Sequence, residues 1–113
     1  MSRALLKQSL FLLLLALPLF ARAADPLWID VRTAEEYAAG HVSQSINIPY
    51  EEITDRVGEV TTDKDALIYL YCRSGRRSGI AMEALEKAGY SNVVNIGGLQ
   101  DAMQKAAEAP SRH

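Results

Sequence analysis

"ALIYLYCRSGRRSGIAMEALEKAG", residues 66–89, is the stretch that decides the fold. Its first six residues, Ala66 to Tyr71, are apolar throughout, as a parallel strand covered on both faces requires. From Ser78 to Gly89 the period changes: Ile80, Ala81, Ala84, Leu85 and Ala88 fall on one helical face, and Gly89 supplies the stop. Between strand and helix lie Cys72, Arg73, Ser74, Gly75, Arg76 and Arg77. Strand, short loop and helix in that order form half of a βαβ unit.

The flanking sequence continues the alternation. "LWIDV" (27–31) is a β-rich run. "TAEEYAAG" (33–40) opens with a capping box, Thr33 with Glu36, and stops at Gly40, which predicts a short helix. "SINIP" (45–49) is a short strand closed by Pro49. "YEEITDRVGEV" (50–60) sets Ile53 and Val57 four apart and predicts a second helix. "NVVNI" (92–96) is a further strand, "GG" (97–98) a turn too short to cradle phosphate, and a last helix runs from Leu99 to Ala109 before a frayed "PSRH". Strands alternating with helices, without a long hairpin signal, give an α/β fold. We expect a small parallel sheet flanked by helices.

The chain has 113 residues, of which 49% are hydrophobic and 23% charged, the balance of one globular domain. Its first residues stand apart. Arg3 and Lys7 precede an apolar run from Leu10 to Phe20, and Ala21-Arg22-Ala23 has the small-x-small form of a signal peptidase site. The run is interrupted by Pro18 and is shorter than the roughly 20 residues of a spanning helix. No cysteine follows the cleavage point, as a lipoprotein would need. Residues 1–23 are therefore expected to be a cleaved secretory signal, and 24–113 a periplasmic domain without a membrane anchor. Cleavage removes Arg3, Lys7 and Arg22 and no acid, leaving nine basic against fourteen acidic residues, a net of −5. Such a surface disfavours nucleic acid as a partner. The three arginines at 73, 76 and 77 are a local exception, a third of the mature positive side chains.

Cys72 is the only cysteine, so the domain has no internal disulfide, and the thiol is reactive, paired between molecules, or inert in a core. Its setting favours reactivity. Ligands of an open parallel sheet gather at the carboxyl ends of the strands, and Cys72 stands at such an end. The loop 73–77 leads to a helix expected to begin near Ser78. Its N–H groups, with the positive end of the helix, stabilise an anion there, and Gly75 permits the tight curl. A thiolate so placed has a depressed pKa and is nucleophilic at neutral pH. No Cys/His cluster has metal-ligand spacing, so neither metal nor other cofactor is expected. His41 reads as a packing and hydrogen-bonding residue of its turn, and His113 as an idle tail residue.

"CRSGRRS" (72–78) resembles the C-x-x-G-x-R-[ST] loop of the rhodaneses, the thiosulfate sulfurtransferases. "IDVRTAEEYAAGHVSQSINIP" (29–49) is similar to the opening signature of that family, and "GYSNVVNIGG" (89–98) to its closing strand. The short form with a leader is most similar to the single-domain phage-shock type of periplasmic rhodanese; Ser45 departs from the alanine common at its position. The resemblance implies a rhodanese-like fold, its active loop between a central strand and the next helix. It implies that Cys72 attacks the outer sulfur of thiosulfate, expels sulfite, and passes the persulfide sulfur to cyanide or a thiol. Arg73, Ser74, Gly75, Arg76, Arg77 and Ser78 are then the substrate-binding loop, with Arg77 closing it and Arg73 and Arg76 at the pocket mouth. Asp30 and Arg32 form a structural ion pair beside it, and the chain is expected to be a monomer. Two other readings remain. A cysteine phosphatase or arsenate reductase uses C-x5-R, whereas here Arg77 stands at five and Ser78 at six. A sulfur carrier or binding module would use the same Cys72 without turnover.

Overall fold

The computed structural model describes residues 25–108. The expected leader over 1–23 and the tail from Ala109 lie outside the described residues. Four strands make one sheet in the order β2-β1-β3-β4: β1 Leu27–Asp30, β2 Ile46–Asn47, β3 Ile68–Tyr71 and β4 Val93–Gly97. All pairings are parallel, and β1 matches β3 residue for residue from Leu27 opposite Ile68 to Asp30 opposite Tyr71. The expected α/β architecture is the observed one.

Alternation along the central strands divides the core between the two faces. Ile29 on β1 and Ile68 and Leu70 on β3 join Ile48, Ile53 and Leu85 on one side. Trp28 and Tyr71 point the other way and meet Val42 and Ala102. Both sides of the sheet are thus covered, which is why β3 is apolar at every position.

Helix α1, Ala34–Ala39, begins with the expected capping box: the Thr33 hydroxyl accepts the Glu36 N–H at 3.2 Å, and the Glu36 carboxylate accepts the Thr33 N–H at 3.1 Å. The helix expected over 50–60 is instead composite. A 3₁₀ turn Tyr50–Glu52 leads into a single α turn, α2 Ile53–Arg56, and a second 3₁₀ turn Val57–Glu59. Ile53 and Val57 are buried as their spacing requires. Three β-branched residues and Gly58 within six positions keep the segment from a continuous helix.

Helix α3, Arg76–Lys87, starts two residues earlier than Ser78. Gly75 is its N-cap in a left-handed conformation, φ +99°, so the chain reverses at Gly75 and Arg76 already lies in the first turn. Its buried stripe is Ser78, Ala81 and Leu85. Ile80, expected on that face, is 42% exposed, since two positions turn it roughly 200° from Ser78. The last helix, α4 Leu99–Glu108, follows β4 after the single residue Gly98. There the backbones crowd: a Cβ on Gly98 would lie 2.5 Å from the carbonyl oxygen of Arg73. The Gly-Gly pair expected as a turn also lets β4 and α4 press against the loop that follows β3.

Ser45, which departs from the common alanine, has a use. Its hydroxyl donates to the Val42 carbonyl at 2.7 Å and lies 3.0 Å from the Tyr71 hydroxyl. With its one hydrogen so committed, Ser45 receives the Tyr71 proton. The Tyr71 oxygen in turn accepts the Val42 N–H at 3.0 Å. Tyr71 ends β3 fully buried, and these bonds satisfy its polar end.

Candidate active site

Cys72 continues β3 by one residue, held by its N–H to the Gly97 carbonyl at 3.0 Å. Only Arg73, Ser74 and Gly75 separate it from α3, so the loop must turn back over the sulfur at once. Cys72 Sγ accepts the Gly75 N–H at 3.0 Å, and the Ser78 hydroxyl lies 3.4 Å away. The first turn of the twelve-residue α3 adds its unpaired N–H groups and the positive end of its dipole.

Two opposing effects set the thiol. Burial, with Cys72 at 1% exposure, pushes its pKa up. Hydrogen bonding from the Ser78 hydroxyl and from the N–H groups of Ser78, Ser74 and Gly75 pulls it down, and the result is lowered to about 7. Near neutrality a substantial fraction of Cys72 is thiolate, as a nucleophile needs.

The Ser78 hydroxyl is contested. It lies 2.7 Å from Oδ1 of Asn95 on β4, closer than to the sulfur, and it has one hydrogen to give. Asn95 Oδ1 also accepts the Gly97 N–H at 3.0 Å, and its Nδ2 donates to the Gly75 carbonyl at 2.9 Å. The amide therefore ties together the strand end, the helix N-cap and the first turn of α3. Sequence reading passed over Asn95 as one residue of a strand. Its signal was a lone amide in an apolar run, two residues before Gly97.

The three arginines divide. Arg77 makes a two-pronged ion pair with Glu36 of α1, at 2.8 and 3.0 Å. That pairing, with Arg77 as its chief cause, lowers the Glu36 carboxyl to about 2. Glu36, expected only as a cap, thus also clamps the active loop to α1. The Arg77 guanidinium is raised, by Glu36 foremost and in smaller part by the neighbouring Cys72. Arg73 and Arg76 are exposed and have no ion-pair partner among the described residues.

Asp30 ends β1, and Arg32 lies two residues beyond it. Arg32 Nε and Nη2 donate to the Asp30 carboxylate at 3.0 and 2.7 Å, and Nη2 also donates to the Gly40 carbonyl at 2.7 Å. Asp30 is fully buried and Arg32 nearly so, and both ends of the pair are occupied in closing the β1–α1 connection. Removing one partner of such a pair costs about 3–5 kcal/mol, so its weight falls on the fold. His41 stacks on Tyr37 with ring centroids 3.6 Å apart, its Nδ1 2.7 Å from the Tyr37 carbonyl oxygen.

Comparison with known proteins agrees with this arrangement. The family model for the rhodanese-like domain matches residues 18–105. Thiosulfate sulfurtransferase PspE of Escherichia coli (strain K12) is 45% identical over 94 residues, covering 82% of this chain and 88% of that protein. The putative sulfur carrier protein YrkF of Bacillus subtilis (strain 168) is 37% identical over 68 residues, covering 60% of this chain but 36% of its own length. A solved rhodanese with anions from E. coli superposes with a TM-score of 0.66 at 44% identity, over 68% of this chain and 91% of that one. With its single cysteine cradled between β3 and α3, the chain belongs to the rhodanese-like domain family.

Proposed function

We propose that the protein is a thiosulfate sulfurtransferase that carries sulfane sulfur on Cys72. The observation that bears the proposal is one buried sulfur that accepts the Gly75 N–H at 3.0 Å at the N-terminus of α3. The Cys72 thiolate attacks the outer sulfur of thiosulfate. The new S–S bond forms as the old one breaks, and sulfite leaves with the bonding pair. The persulfide then bears the negative charge the thiolate gave up, now on a sulfur about 2 Å from Sγ. Cyanide or a thiolate attacks that terminal sulfur, and Cys72 departs as the thiolate.

Each part of the loop has work in this cycle. The N–H groups of Ser74, Gly75 and Ser78 are already directed at the thiolate before any donor arrives, the kind of preorganisation that lowers barriers most. Arg73 and Arg76 offer unpaired charge to a dianionic donor on an otherwise acidic body. That the similar E. coli rhodanese was solved with anions supports an anion-binding loop. Arg77 contributes by closing the loop against Glu36 rather than by free charge. An arginine so engaged also argues against the phosphatase reading, which needs it on an oxyanion.

The likeness to a putative sulfur carrier favours a second reading, transfer without multiple turnover. Thiocyanate formation from thiosulfate and cyanide separates the two. The proposal expects many turnovers per protein in the wild type and none in Cys72→Ser. Thiocyanate limited to one equivalent per protein would select the carrier reading, and equal rates in both proteins would overturn both.

A further inference from the structure

Strand β4 carries an irregularity where it passes the active loop. Leu70 of β3 pairs with Asn95, but the next residue, Tyr71, pairs with Gly97, so Ile96 is skipped. A bulge at this place re-aims the side chains beside it. Asn95 makes three hydrogen bonds there, and all go to backbone or side-chain groups around the sulfur. Its Nδ2 holds the carbonyl of Gly75, whose own N–H points at Cys72 Sγ. Its Oδ1 takes the proton of Ser78 and the N–H of Gly97, whose carbonyl holds the Cys72 N–H.

We propose that Asn95 is a positioning residue for the reacting sulfur: by holding the Gly75 carbonyl it steadies the residue whose N–H meets Sγ. The proposal rests on Cys72 as the nucleophile and adds a group that touches neither the sulfur nor the reactants. The mechanical case is direct. Gly75 has the left-handed φ of +99° and is the least restrained kind of residue. Without Asn95 the Gly75 carbonyl keeps only the Gly79 N–H of α3, at 3.0 Å, and the Cys72–Gly75 turn loses the tie that joins its far end to β4. The Ser78 arm acts oppositely, since freeing the hydroxyl lets its proton fall wholly to the sulfur. The Gly75 arm wins, because loosening that turn also unsettles the neighbouring Ser74 amide, which acts on the sulfur as well.

The test is the pH dependence of Cys72 alkylation by iodoacetamide in Asn95→Ala. The charged groups around the sulfur are Arg77 on α3 with Glu36 of α1, the Asp30–Arg32 pair at the end of β1, and the exposed Arg73 and Arg76. A neutral-to-neutral substitution leaves all six in place, so a shift in the midpoint reports the hydrogen bonds. The expected result is an upward move of roughly one pH unit, with thiosulfate turnover at pH 7 down about fivefold and recovering toward wild type above pH 9. A midpoint that stays or falls in a folded variant overturns the proposal. Should the alanine variant not fold, Asn95→Thr, a residue at home in a strand that cannot reach the Gly75 carbonyl, gives the same reading. Alkylation does not depend on the sulfur donor, so failure here is distinct from failure of the sulfurtransferase reading, which thiocyanate formation reports.

Discussion

At Cys72 Sγ two opposing pressures meet, and hydrogen bonding outweighs burial. A sulfur at 1% exposure should be a neutral thiol, and the loop that buries it is also the loop whose N–H groups make it an anion. The thiolate exists above the pKa and is lost below it. Alkylation of the wild type should therefore rise with pH through a midpoint near 7 and level off about one unit higher, whereas an unperturbed thiol has its midpoint near 8.5. Stopped alkylation followed by peptide mapping measures this, and a midpoint at the unperturbed value would mean that the amides do not act on the sulfur. The geometry around Cys72 and Gly75 was legible in the sequence because it is local: a strand end, a glycine and a helix start within seven residues. The Glu36–Arg77 pair and the Ser78–Asn95 bond, separated by 41 and 17 residues, carried no local signal.

Among the elements, α3 and β4 matter most, because the loop is only three residues long and inherits its geometry from them. The capping box at Thr33 and the apolar run of β3 were readable because propensity and packing agree there. The segment 50–60 was misjudged because its buried residues have helical spacing while its β-branched residues and Gly58 disfavour a continuous helix. Ile80 was assigned to the core because periodicity counts apolar residues, and the stripe that is buried includes the polar Ser78. The contact between Gly98 and the Arg73 carbonyl gives the element-scale prediction. Gly98→Ala must move either the β4–α4 turn or the active loop, since both surfaces are backbone. It should cost about 1–3 kcal/mol in urea unfolding and should slow thiosulfate turnover as well. Wild-type stability together with wild-type turnover would show that the two backbones yield without consequence.

As a whole, the molecule places its cysteine at the carboxyl edge of a parallel sheet, a position that α/β topology favours for any ligand. Both cores support that edge: of the consecutive residues Leu70, Tyr71 and Cys72, the first and last belong to one and Tyr71 to the other. The fold thus holds the sulfur rigidly while leaving Arg73, Ser74 and Arg76 exposed around it. The central claim is that sulfur is carried covalently on this residue. Intact-mass measurement after incubation with thiosulfate tests it most directly. The wild type should gain one sulfur atom and lose it again on adding cyanide, and Cys72→Ser should gain nothing. No gain in the wild type, or an equal gain in the variant, would contradict the account.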